Sequence, residues 1–197
     1  MKKWNFWMLI LLIGLAACQQ KSPFEQMKER ELASGIRQDS LFFGLYLGMP
    51  SKEYFDHCLE MNHRKLFTHG TTNTGVEYVF NNGEMNYPVK MSFYPVFVDG
   101  KIEEMIAEFE YKTWAPWMKD RFSDVLQEQV LRLFEKWYGP GFLKMKHPMW
   151  EYGYVKIDGN RLIVIERKDD RVVKVTYRDL FAEKQADKKN FGVETPQ

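Results

Sequence analysis

Cys18, Cys58 and the histidines at positions 57, 63 and 69 are the residues of this chain whose types could do chemistry. Cys18 ends the run Leu15-Ala16-Ala17-Cys18, behind Lys2-Lys3 and an uncharged, mostly apolar stretch over residues 6–13. That order reads as a positive n-region, a short apolar core and a small-residue cleavage site, so the chemistry at Cys18 is that of signal processing. The three histidines recur every six residues. Zinc ligands on one helix want four-residue spacing, or short pairs with cysteine. Six-residue spacing puts consecutive helical positions on opposite sides, so scattered surface histidines are expected unless a loop gathers them. No metal is expected. Cys58 beside His57 suggests a thiol nucleophile and its base, but adjacent helical residues point about a third of a turn apart. A buried small hydrophobe is the reading preferred for Cys58. Glu103-Glu104 are neighbours in a strand-like run and would face opposite ways. The chain has neither a Gly-x-Ser-x-Gly elbow nor a His-Glu-x-x-His helix. The expectation is therefore a protein that is not an enzyme and carries no cofactor.

Trp114 and Trp117, in Thr113-Trp114-Ala115-Pro116-Trp117-Met118, are the sharpest candidate binding residues. Two Trp in a linker can stack on a sugar or anchor a protein partner. The alternative is an apolar seam that locks two halves of the chain together. Exposed, coplanar rings would mark a sugar site, and buried rings a seam.

The Cys18 segment resembles the signal of bacterial lipoproteins. The stretch is too short to span a membrane, which takes about 20 apolar residues. The resemblance implies that Cys18 is the lipidated first residue of the mature chain. A diacylglycerol there, often joined by an amide-linked third chain, anchors stably where one acyl chain would not. Gln19-Gln20-Lys21-Ser22 lacks the Asp that retains some lipoproteins at the inner membrane, and it lacks an acidic surface-export run. By that analogy the protein is an outer-membrane lipoprotein facing the periplasm, and the whole chain is similar to lipoproteins of Bacteroides-like bacteria.

Removing 17 of 197 residues leaves 180, enough for one compact domain. Taking Lys2 and Lys3 from 28 basic residues leaves 26 against 27 acids, a net charge near −1. Nothing in that balance suggests nucleic acid, which wants a basic face.

The elements follow from periodicity. Ser22-Pro23-Phe24-Glu25 predicts a capped helix running to Ser34 and stopped by Gly35. Its polar composition suggests a stalk, so residues 18–40 are read as lipid anchor and stalk. Ser51 and Ser123 are predicted to cap two core helices. The second carries the stripe Leu126, Val130, Leu133, Phe134, Trp137. Strand-like runs cover 76–80, 89–98, 101–111, 152–157, 161–167 and 171–177. Asp99-Gly100 and Asp158-Gly159 mark hairpins. In Met105-Ala107-Phe109-Tyr111, alternating with Glu104, Glu108 and Glu110, one face is apolar and the other acidic. Phe93, Phe97, Phe109, Phe134 and Trp137 are expected in the core. The predicted fold is α+β, with tandem helix-β-β-β units, an antiparallel sheet and the helices packed on one face. The domain covers 41–181, with units at about 41–112 and 113–181. Residues 182–197 are expected to be a disordered tail.

The element order, with Gly44-Leu45-Tyr46-Leu47-Gly48-Met49-Pro50-Ser51-Lys52-Glu53 at the first helix entry, resembles the β-lactamase-inhibitor-protein fold and the small lipoproteins of the outer-membrane barrel-assembly machinery. Those families show Ser directly after Met, where this chain inserts Pro50. The resemblance carries no partner-binding residue over. The expected function is that of a non-catalytic, membrane-anchored lipoprotein that binds an envelope protein or supports envelope assembly. Its rivals are a glycan- or peptidoglycan-binding lipoprotein using Trp114 and Trp117, and an enzyme using Cys58 or a histidine.

Overall fold

The computed structural model describes residues 21–70 and 75–184, so Cys18 and most of the predicted tail lie outside the described residues. The protein is α+β. One eight-stranded antiparallel sheet carries the strands β1 (Thr68–His69), β2 (Val76–Phe80), β3 (Val89–Val98), β4 (Lys101–Tyr111), β5 (Leu143–Lys146), β6 (Tyr152–Asp158), β7 (Arg161–Arg167) and β8 (Val172–Asp179). The spatial order is β1-β2-β3-β4-β8-β7-β6-β5. The helices are α1 (Pro23–Ser34), α2 (Ser51–His63) and α3 (Ser123–Tyr138), with a 3₁₀ turn over Lys119–Arg121.

The alternation predicted for β4 sets the two faces. Met105, Ala107, Phe109 and Tyr111 are buried. Val173, Val175 and Tyr177 of β8 stand beside them in register, and α3 lies across this front face with Leu126, Val130 and Phe134 fully buried. The back-face acids are paired across strands. Glu104 meets Arg178 at 2.7 Å, Glu108 meets Lys168 at 2.8 Å, and Glu110 meets Lys90 at 2.7 Å. Each such half-exposed pair contributes about 0–1 kcal/mol, so the apolar front face carries the stability.

Asp99-Gly100 turns β3 into β4 with φ of 49° and 73°, as a type I′ hairpin demands. The two predicted serine caps are corrected. Pro50 and Phe122 occupy the cap positions and make no side-chain cap bond. Ser51 and Ser123 are the first helical residues, and the Ser123 hydroxyl instead accepts from Arg167 Nε at 2.9 Å. Each half also holds one strand more than predicted, the edge strands β1 and β5.

Helix α1 forms through the predicted capping box. Glu25 N donates to Ser22 Oγ at 3.2 Å, and Ser22 N donates to Glu25 Oε2 at 2.8 Å. It is not a free stalk. Met27 is buried in a second apolar cluster with Val155, Ile157, Leu162 and Leu180, and Phe24 and Leu32 pack against that cluster. Val155 pairs with Val164 and Ile157 with Leu162, on the face of β6 and β7 opposite Tyr154, Ile163 and Ile165. The segment read as a stalk is instead part of the fold: α1 covers the back face, opposite the face covered by α3. Its last turns are pinned where Gly159 N donates to Glu31 Oε2 at 3.1 Å. Gly159 has φ +56°, and a Cβ there would collide with the Ile36 carbonyl oxygen. Only glycine lets the β6–β7 turn and the segment after α1 meet so closely.

Candidate functional site

After α1 the chain turns around the end of β6 and β7 onto the front face. Gln38 N donates to Asn160 Oδ1 at 2.6 Å, and Arg37 meets Asp179 at 2.7 Å. Residues 40–43 then lie beside the last turn of α3, where Tyr138 Oη donates to the Leu41 carbonyl at 2.9 Å. The space left between this segment, α3, the β2–β3 loop and the β6–β7 turn is a cleft of about 700 Å³. Its wall is aromatic at Phe43, Trp137 and Tyr138 and polar at Gln38, Glu84, Asp158 and Arg161.

The aromatic wall is held under strain. Phe43 has φ +52°, a region that costs an L-residue with a bulky side chain about 1–2 kcal/mol. Its ring packs 4.5 Å from Tyr78, 5.7 Å from Phe67 and 6.0 Å from Trp137. His57 Nε2 lies 2.8 Å from the Phe43 carbonyl and donates to it. That bond assigns His57 a structural task, fixing the strained segment from α2.

The polar wall centres on Arg161, which is 5% exposed. Its guanidinium lies 4.5 Å from the Tyr138 ring centre. It donates to the Ser40 carbonyl and, at 3.0 Å, to Asp158. Its Nε is buried with no partner among the described residues. Asp158 also pairs with Lys156 at 3.2 Å. Hydrogen bonds from Asn82 and Lys136 hold the Glu84 carboxyl below its usual range. Burial pushes the Tyr138 phenol up to about 12. A general acid at neutral pH needs a raised carboxyl, whereas both cleft carboxylates are engaged with cations. The arrangement suits stacking and hydrogen bonding to a bound group.

The sequence-predicted residues fall elsewhere. Trp114 packs 5.6 Å from Phe122 and under Arg171 at 5.0 Å. Trp117 is 78% exposed. The two indoles form no stacked pair. Cys58 is half-buried on α2, and burial pushes its thiol up, away from the reactive thiolate. On α2, Tyr54 is buried while Phe55 and Leu59 are exposed. His63 and His69 are exposed, and among the described residues no group of three His, Cys, Asp or Glu could hold a metal ion. Phe93, Phe109 and Phe134 are core as expected, whereas Trp137 and Phe97 are half-buried. Trp137, placed in the core by the α3 stripe, lines the cleft together with Phe43, Tyr138 and Arg161, none of which the sequence marks as a site residue. The available signal was the pair Trp137-Tyr138 at a helix end, just before Gly139-Pro140.

No family model, curated protein or solved structure matches this chain. Among the described residues, no helix is long and apolar enough to cross a membrane.

Proposed function

We propose that this protein is a non-catalytic, lipid-anchored binding module of the bacterial outer membrane that receives a segment of an envelope protein in the Phe43–Trp137–Arg161 cleft. The observation that carries this reading is the cleft itself, which sets a strained Phe43 and a half-exposed indole beside a buried arginine whose Nε has no partner among the described residues. Strain and an orphaned donor persist only where the surroundings enforce them, and both gather at binding sites. The lipid anchor rests on the Lys2–Cys18 pattern. We also read the fold as a tandem duplication, because the strand order mirrors about the β4–β8 pair and each half runs helix then strands. That supports the likeness to the barrel-assembly lipoproteins and hence a partner-binding role. A glycan is the second reading, since Trp137 beside Gln38, Asp158 and Arg161 offers one stacking face ringed by hydrogen-bonding groups.

The test is Gln38→Trp. Gln38 is exposed at the cleft, and its backbone rather than its side chain makes the bond to Asn160. The bulky side chain is expected to close the cleft and abolish capture of the partner in affinity purification from the native envelope, with the unfolding midpoint unchanged. Retained protein capture would refute the cleft as the protein-binding site. Loss of binding to peptidoglycan fragments, with protein capture intact, would establish the glycan reading in its place.

A further inference from the structure

At the far end of the sheet from the cleft, Trp117 at 78% and Met149 at 76% are the most exposed large apolar side chains among the described residues. Between them runs a bonded strip. Arg171 lies over Trp114 at 5.0 Å, and Arg167 lies over Trp150 at 4.3 Å. Ser123 joins the two, donating its N–H to the Asp170 carbonyl at 2.9 Å and accepting from Arg167 at 2.9 Å. Lys119 sits over Phe122 at 4.5 Å. Trp114 and Trp150 are half-buried beneath these cations. We propose that this rim sits in the headgroup layer of a phospholipid membrane, with Trp117 and Met149 entering the apolar boundary.

The chemistry of the rim fits that occupant. Trp concentrates at membrane interfaces, because its ring is apolar and its N–H seeks an acceptor. Arg and Lys stems lie along apolar surface while their charged heads reach phosphates. The guanidinium groups of Arg167 and Arg171, lying over the rim indoles, have N–H donors that headgroup phosphates and ester carbonyls can accept from.

The position of the anchor argues the same way, and here the proposal rests on the reading that Cys18 is lipidated. Helix α1 is pinned by Glu31 at the Gly159 turn, the cleft end of β6 and β7. Phe24 and Met27 pack with the cluster that includes Val155 and Ile157, so the N-terminus of α1 points away from that turn and toward the rim. Four residues lead from Cys18 to Ser22, a reach of at most about 14 Å. A lipid on Cys18 therefore holds the rim end near the bilayer. The seven residues of β6 then place the opposite end, and the cleft, roughly 20 Å farther out. The membrane contact and the binding cleft occupy opposite ends of one rigid sheet.

The test uses the processed, full-length protein in phosphatidylethanolamine–phosphatidylglycerol vesicles whose acyl chains carry bromine, a short-range quencher of indole fluorescence. Mass spectrometry of the same sample reports the acyl groups on Cys18. The expected result is an acylated protein whose emission is quenched. Trp117→Phe loses a large share of that quenching, and Trp137→Phe loses none of it. An acylated protein with no bromine quenching, or with quenching unaffected by Trp117→Phe, overturns the rim contact and leaves the anchor standing. A protein that carries no acyl group and does not stay with the vesicles overturns the anchor reading and the proposal built on it.

Discussion

Replacing Phe134 with Ala is expected to destabilise the protein by about 3–5 kcal/mol, the cost of deleting a fully buried aromatic side chain. Phe134 has no exposed surface. Its ring centre lies 6.0 Å from Phe109, 5.5 Å from Trp137, 5.5 Å from Tyr138 and 6.0 Å from Tyr177. Those partners come from β4, α3 and β8, so the void would open where the two halves of the chain join. Seven residue pairs, from Glu104↔Arg178 to Glu110↔Val172, tie β4 to β8. The loss should therefore appear in one cooperative transition. Trp137→Ala should cost less, because that indole is half-exposed at the cleft. Chemical denaturation of the protein, followed by circular dichroism, measures both. Two separable transitions, or a Phe134→Ala loss near zero, would refute a single front-face core.

Cys18→Ser is expected to remove the protein from the membrane fraction, or to leave its signal uncleaved. The expectation follows from the small-small-Cys ending of an apolar, positively led segment. Serine has no thiol to carry a diacylglycerol, and removing the acyl chains removes the affinity that each buried methylene contributes. Growth with a labelled fatty acid, followed by detergent-phase partitioning, reads the outcome. Persistent labelling of the substituted chain would place the lipid elsewhere and end the lipoprotein reading.

The parts of the fold legible in the sequence are those written in local patterns. The capping box at Ser22, the Asp99-Gly100 turn, the two-residue period of β4 and the stripe of α3 each occupy a few consecutive residues. Their physics is complete within that window. The edge strands were not legible. β1 has two residues and β5, Leu143–Lys146, has four, too few for a two-residue period to stand out from its surroundings. The docking of α1 was hidden because Phe24, Met27 and Leu32 are diluted among charges. Their apolar partners lie on the back face of β6 and β7, where hydrophobic residues read as ordinary strand positions. The join between the halves was sought in Trp114 and Trp117, whereas it is made by the pairing of β4 with β8, a long-range register that composition does not encode. The cleft has the same origin. Phe43, Trp137 and Arg161 meet only after residues 36–40 have passed around the end of the sheet, and a positive φ at Phe43 leaves no residue signature.

The role of the cleft is tested by site-specific photocrosslinking in intact cells of the native host, with the crosslinking residue at position 38 in the mouth of the cleft. One discrete protein adduct is expected at position 38. No such adduct is expected from position 174 on the charged back face of the sheet, where Lys174 pairs with Glu166 at 2.8 Å. An adduct from position 174 and none from position 38 would contradict the claim that this protein presents its cleft to an envelope partner.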